Sequence, residues 1–208
     1  MMRQEGKSVK DQSTTPLIVK VGGSLYNQIP DLIPVIKASN RPLLLIPGGG
    51  PFADLVRRVQ VDNDTAHWMA VSAMEQYGLF IASFGISTTD IIFTPLTTTV
   101  FLPYRYLRLT DPLPHTWDVT SDTIAAWVAH ALHLDLLILK SVDGIFINGI
   151  FQVQVTRPVE TDVIDPFFIP FVAQNSVRAT IINGTQPERV EKYLKGDLVP
   201  RTDICTTF

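Results

Sequence analysis

Two features of this sequence could do chemistry on an anion. One is Lys20, whose ammonium stands two residues before the turn Gly22-Gly23-Ser24; the other is the triple glycine Gly48-Gly49-Gly50. Glycine lets the backbone approach a phosphate closely and point its amides inward, and a helix N-terminus beyond adds partial positive charge. A single glycine turn is ordinarily only a turn. Two of them, each following an apolar run, point to a phosphate cradle. Lys20 has two readings: an edge-strand lysine whose ammonium reaches water, or a cation that neutralises phosphate oxygens. The adjoining glycine turn favours the second. The chain has neither a G-x-x-x-x-G-K-[ST] loop nor a G-x-G-x-x-G fingerprint, so any phosphate site here is of another kind.

The elements that must position these residues are legible from apolar runs and breakers. Four β-branched or leucine-rich runs read as strands buried on both faces, as in a parallel sheet. Leu17–Val21 stops at Gly22, Leu43–Ile46 at Pro47-Gly48, Leu134–Leu139 at Lys140-Ser141-Val142-Asp143-Gly144, and Ala179–Ile182 at Asn183-Gly184. Between them, helical periodicity covers Phe52–Val61 after Pro51, Thr65–Phe84 before Gly85, Asp122–Leu134 with Thr120 or Ser121 as cap, and Glu188–Lys195 before Gly196. Alternating strand and helix implies an α/β layered fold. Ligands collect at the carboxyl ends of the strands in such sheets, which is where every glycine turn falls. Residues 87–118 are read as strands, a turn and a loop. Asn148-Gly149 between alternating apolar residues predicts a type I′ hairpin. Pro158, Pro166 and Pro170 predict an irregular segment after it.

Composition narrows the function. The chain of 208 residues, 46% hydrophobic and 18% charged, can bury one sizeable core. A net charge of -3 argues against nucleic acid or anionic membrane as partner, so positive charge must act locally. A single cysteine, Cys205, excludes a disulfide framework and a cysteine-rich zinc site, and fits a reducing, cytoplasmic compartment. Residues 1–15 have no apolar core of a signal peptide and are read as a disordered tail. No apolar run approaches the roughly 18 residues needed to cross a bilayer.

Taken in order, Lys20-Val-Gly-Gly-Ser24, Gly48-Gly49-Gly50, Thr120-Ser-Asp-Thr-Ile-Ala-Ala126 and Leu137-Ile-Leu-Lys-Ser-Val-Asp-Gly144 resemble the motifs of the amino acid kinase superfamily. Ile181-Ile-Asn-Gly184 and Gly196–Thr202 resemble its closing elements, so the resemblance spans about 17–204. It implies a three-layer αβα sandwich with a mainly parallel central sheet, forming one domain over 16–208. The acceptor would bind the half at about 16–118 and ATP, with Mg2+, the half at about 119–208. It further implies that Lys20 holds the transferred phosphoryl group, that Gly22, Gly23, Ser24, Gly48, Gly49 and Gly50 cradle it or the acceptor, and that Asp122 organises the catalytic lysines. Ser141, Asp143 and Gly144 would lie beside the nucleotide. An acidic residue at a helix start is also a common cap, and the residues alone leave that open for Asp122. A homo-oligomer is expected.

Two departures from the superfamily pattern carry information. Its carboxylate kinases place a second lysine before the last strand, where this chain reads Asp165–Phe171 without one. Lys140, directly after four apolar strand residues, is costly to bury unless it meets an anion or water. It is therefore expected to supply the second positive charge, against the alternative that it snorkels to solvent. The Arg-x-Thr-Asp element of carboxylate kinases is also missing from its place after the triple glycine. There the chain reads Asp62–Ala70 with His67 and Trp68. With Pro114–Asp122 this resembles the branch of the superfamily that phosphorylates [5-(aminomethyl)furan-3-yl]methyl phosphate in methanofuran biosynthesis. On that reading the acceptor is a small phosphomonoester; the alternatives are another activity of the superfamily, on isopentenyl phosphate, uridylate or an amino acid carboxylate, and a non-catalytic relative that binds nucleotide or an oxyanion. His67 would meet its phosphate, Asp54 or Glu75 its amine, and Trp68 or Trp117 its ring.

Overall fold

The four apolar runs form the middle of one sheet. A computed structural model describes residues 14–205; the expected tail, apart from its last two residues, lies outside them. In chain order the elements are β1 (Leu17–Val21), a 3-10 turn (Gly23–Gln28), α1 (Ile29–Ala38), β2 (Leu43–Pro47), α2 (Gly50–Val56) and α3 (Asn63–Ala82). There follow β3 (Ser87–Thr89), β4 (Thr99–Phe101), α4 (Pro103–Thr110), α5 (Ser121–Leu132), β5 (Leu136–Lys140), β6 (Phe146–Ile147), β7 (Ile150–Phe151) and β8 (Gln154–Val155). The chain closes with α6 (Phe168–Gln174), β9 (Ala179–Asn183), α7 (Pro187–Leu194) and β10 (Thr202–Ile204).

Eight strands make one sheet in the order β3-β4-β2-β1-β5-β9-β10-β8, and β6-β7 form a separate hairpin. Every pairing in the large sheet is parallel except β10 with β9. Strand side chains alternate between faces. Ile18, Ile46, Ile138 and Ile181 meet α5 and α6 on one face, while Val19, Val21, Leu137 and Leu139 meet α1 and α7 on the other. Burying each such side chain contributes roughly 1.5–3 kcal/mol. The result is the three-layer αβα sandwich expected.

Where the structure departs from expectation, local chemistry explains it. α2 starts earlier, at Gly50, and ends at Val56. α3 starts at Asn63 because Asp62 caps it, its carboxylate accepting from Thr65 N at 2.9 Å and Thr65 Oγ1 at 2.8 Å. α4 is a helix inside the segment read as strands and loops; Pro103 suits its first turn, and the carboxylate of Glu75 accepts from Tyr104 N at 2.8 Å. α6 arises in the segment read as irregular, since Pro170 lies within its first turn, where no amide is required. The hairpin is as expected, with Asn148 at φ 50° and Gly149 at φ 77°, the two left-handed residues of a type I′ turn. Among the described residues no helix is long and apolar enough to cross a membrane.

Candidate active site

Lys20 and Lys140 sit on neighbouring parallel strands. Lys20 pairs in register with Ile138, so Lys140 lies two residues further along on the same face. β1 is a central strand between β2 and β5, which removes the edge-strand reading of Lys20. The side chain of Lys20 is 3% exposed and cannot reach bulk water. It meets the carboxylate of Asp122, which comes down from the first turn of α5. Lys20 Nζ is 2.6 Å from Asp122 Oδ1, and Lys140 Nζ is 2.6 Å from Asp122 Oδ2. Oδ1 takes no aligned hydrogen bond, so its tie to Lys20 is an ion contact, whereas Lys140 donates a hydrogen bond to Oδ2. The cap of α5 is Thr120, whose hydroxyl accepts from Asp122 N. Asp122 is therefore free of the capping role and spends its charge on the two lysines.

The electrostatics follow from burial. Desolvation pushes the Lys20 ammonium down to about 8; Asp122 opposes this and Lys140 adds to it. Burial alone would raise the Asp122 carboxyl, but the two ammonium groups outweigh it and hold the group below the usual carboxylate range. Two cations share one anion, which leaves an excess positive charge beside the glycine turns.

Those turns form one surface. Gly48 N donates to Val21 O at 2.8 Å and Gly22 N to Leu139 O at 3.0 Å, so each turn is stitched to the neighbouring strand end. A Cβ on Gly23 would lie 2.5 Å from Gly50 N, so the two turns pack backbone against backbone with no room for a side chain. Ser24 is exposed at the start of the 3-10 turn.

A cleft opens from Gly49 between α2, α3 and the loop before α5. Its floor is apolar, with Ala53, Ala70 and Met74, and its rim carries Arg57, His67, Trp117, Thr120 and Ser121. Burial, and then the charge of His115, push His67 down to about 4, so at neutral pH it is an uncharged donor and acceptor. His115 stacks on it at 4.0 Å between ring centroids. Both nitrogens of His115 meet carboxylates: Nδ1 lies 2.7 Å from Asp64 Oδ1 and Nε2 2.8 Å from Asp111 Oδ1. A neutral imidazole can donate only once, so this geometry calls for the imidazolium. Desolvation works against that form, but the two carboxylates prevail and the His115 pKa is raised.

This clamp ties the loop bearing Trp117 to α3 and to the end of α4, and it predicts a pH effect. A raised folded-state pKa gives stability that is fully present below the unfolded value and lost as pH rises through the folded one. The melting temperature of the wild type should therefore exceed that of His115→Gln most below about pH 6.5, with the gap narrowing as pH rises. A gap independent of pH would mean that the ring only packs.

The remaining expected residues lie at the end of β5. Ser141 is exposed, and Asp143 accepts from Asn183 Nδ2 at 3.0 Å and pairs with Arg189 at 2.6 Å. Those two bonds, acting against burial, hold the Asp143 carboxyl low. Gly144, at φ 150°, is pressed against Thr202 Oγ1, where no side chain would fit. One carboxylate oxygen of Glu75 accepts from Tyr104 N at the start of α4, and Trp68 packs with His67, His115 and Tyr104 beneath Arg108. Trp117 is the tryptophan on the cleft. Sequence reasoning missed Arg57, which pairs with Asp54 at 2.7 Å and lies 5.8 Å from the Trp117 ring centroid. It also missed Arg189 and Asp165. For Asp165 a signal existed: a lone acid between Ile164 and Pro166-Phe167-Phe168 is costly unless it is satisfied. Among the described residues no group of three or more His, Cys, Asp or Glu could hold a metal ion.

No protein-family model matches the chain. A protein of Methanocaldococcus jannaschii named [5-(aminomethyl)furan-3-yl]methyl phosphate kinase is 28% identical over 211 aligned positions, which cover 86% of this chain and 93% of that protein. Among solved structures, uridylate kinase from Archaeoglobus fulgidus superposes with a TM-score of 0.69 at 16% identity, covering 92% of this chain and all of that one. An isopentenyl phosphate kinase superposes with a TM-score of 0.59 at 15% identity, covering 91% of this chain and 100% of its own. The chain is thus similar over most of its length to the M. jannaschii kinase, and its three-layer fold is that of uridylate kinase and isopentenyl phosphate kinase.

Proposed function

We propose that this protein is an ATP-dependent kinase that converts a small phosphomonoester to a diphosphate, with [5-(aminomethyl)furan-3-yl]methyl phosphate as the acceptor. The observation that carries this reading is the ion triad Lys20–Asp122–Lys140, buried beside two fused glycine turns and next to the cleft. The similarity to the M. jannaschii kinase, whose name specifies that acceptor, supports its identity. In the reaction, an oxygen of the acceptor phosphate forms a bond to the γ-phosphorus of ATP while the bond to the β,γ-bridging oxygen breaks and ADP leaves. Charge on the transferring group is offset by Lys20, Lys140 and the amides of Gly23, Gly49 and Gly50, whereas the amides of Gly22 and Gly48, expected to join the cradle, are spent on Leu139 O and Val21 O. A phosphate acceptor is already ionised at pH 7, so no general base is needed. This suits a cleft whose imidazole, His67, serves as a hydrogen-bonding partner.

On this reading ATP occupies the half containing Ser141, Asp143 and Gly144, and the acceptor body lies on the apolar floor of the cleft with Trp117 against its ring. Mg2+ arrives on the phosphates of the nucleotide. The side chains lining the cleft include no carboxylate; Asp54, outside that lining but paired with the rim residue Arg57, is the group an aminomethyl ammonium would engage. A cytoplasmic homo-oligomer belongs to the same proposal, with exposed Leu55, Val59 and Leu79 on and beside α2 and α3 as the apolar surface available for self-association. The test is ATP turnover against a panel of phosphomonoesters, including isopentenyl phosphate and UMP, and of amino acid carboxylates with hydroxylamine trapping of acyl phosphate. The furan phosphate should be the preferred acceptor. Preference for a carboxylate would overturn the diphosphate reading, and no turnover with any acceptor would favour a nucleotide-binding relative without catalysis.

A further inference from the structure

Asp165 holds the largest set of internal hydrogen bonds around the triad, yet it touches neither lysine. It stands in the segment before α6 and is 7% exposed. Asp165 Oδ2 accepts from Thr120 N at 3.0 Å, from Thr120 Oγ1 at 2.8 Å and from Thr123 N at 3.0 Å. Asp165 Oδ1 accepts from Thr123 Oγ1 at 2.6 Å. Two of these donors are backbone amides of the first turn of α5, which have no partner inside the helix. Thr120 and Thr123 flank Asp122, so the carboxylate fixes the turn that carries it. We propose that Asp165 is the positioning residue of the active site: it fixes the first turn of α5 so that Asp122 lies between Lys20 and Lys140.

The charges agree with this. From β1 comes Lys20, from β5 Lys140 and from α5 Asp122, which alone touches both lysines, while Asp165, from the segment before α6, spends its carboxylate on Thr120 and Thr123. Desolvation is the main force lowering Lys20; Asp122 and, more weakly, Asp165 raise it, while Lys140 lowers it. Asp165 is itself raised, first by burial and also by Asp122, while its bonds from Thr123 and Thr120 favour the charged form. Four potential donors around it are what a carboxylate requires.

The inference rests on the kinase reading for its effect on turnover but not for its electrostatics, so its test has two independent readouts. In Asp165→Asn, the side chain of similar shape loses its charge and one acceptor oxygen. The 13Cε titration of Lys20, followed by NMR on the full chain without substrate, should move to lower pH than in the wild type. The alkaline limb of kcat should move the same way, and kcat at pH 7 should fall roughly 10- to 100-fold, as expected for a small misplacement of catalytic groups. Thr123→Val removes one bond and leaves the charge; it should lower the melting temperature without moving the Lys20 titration. An unmoved Lys20 titration in folded Asp165→Asn would reduce Asp165 to a helix cap. Should Asp165→Asn not fold, the carboxyl 13C resonance of Asp165 in the wild type decides: it must show the ionised form at pH 7, and a protonated group there overturns the proposal. Absence of kinase turnover in the wild type would defeat the functional reading and leave the Lys20 titration as the test of Asp165.

Discussion

Lys20→Met is expected to lower kcat by about two to three orders of magnitude, the usual cost of deleting one group that stabilises charge in the transition state. Methionine fills the same space, so the loss reports charge rather than packing. The fold should survive, because Asp122 keeps Lys140 as a partner. The wild type should carry a matching pH signature. Burial pushes the Lys20 ammonium down to about 8, so kcat/KM should decline as pH rises through that value. Phosphate oxygens favour the ammonium, so the limb for kcat should lie at higher pH than the limb for kcat/KM. The charged Lys20 also costs the fold something: with its folded pKa below the unfolded value, stability contributed at this site rises as pH increases from about 8 to 10.5. Lys20→Met should abolish that rise. Steady-state kinetics and thermal melting of the variant from pH 6 to 10 would check both parts, and wild-type turnover in Lys20→Met would remove Lys20 from the mechanism.

Asp122→Asn is expected to be as damaging by another route. It leaves Lys20 and Lys140 facing each other across a neutral amide. Lys140 can turn towards water, being 17% exposed, but Lys20 cannot and should lose its proton at lower pH. With both cations displaced or discharged, kcat should fall roughly 1,000-fold, since even a small misplacement can cost about 100-fold. Removing one partner of a buried pair typically costs about 3–5 kcal/mol, so the melting temperature should drop as well. That deficit should shrink at pH 9–10, where Lys20 is neutral in both proteins. Activity per folded molecule, measured beside the melting curve, separates this from a helix-capping role. A variant that melts lower yet turns over normally when folded would return Asp122 to the capping reading, which Thr120 already fills.

Much of this site is legible in the sequence because it is built from backbone-near features. Lys20, Gly22 and Gly23 follow an uninterrupted apolar run, and Lys140 ends another, so the parallel sheet that brings them together follows from hydrophobic pattern alone. The lysine pair was likewise inferable from burial cost. The elements that were missed are those where side chains override local propensity. α4 forms in a Thr- and Pro-rich region because Pro103 and the Glu75 carboxylate start it, and α6 forms through Pro170 because the helix is too young there to need that amide. The partners of charged side chains were illegible for a different reason. Asp165 reaches residues 42 and 45 positions away, and His115 reaches Asp64 across 51, separations that no periodicity encodes. The role of Glu75 as a cap and the place of Trp68 under Arg108 rather than on the cleft are visible only once α3 and α4 are packed.

The central claim is that the buried lysine pair transfers the γ-phosphoryl group of ATP to a phosphate, not to a carboxylate or a hydroxyl. 31P NMR of the wild-type protein with ATP, Mg2+ and [5-(aminomethyl)furan-3-yl]methyl phosphate reads this directly. The acceptor's monoester signal should give way to two mutually coupled diphosphate doublets while ADP appears in equal amount. ADP formation that leaves the monoester signal intact, or no consumption of either substrate, would contradict the claim.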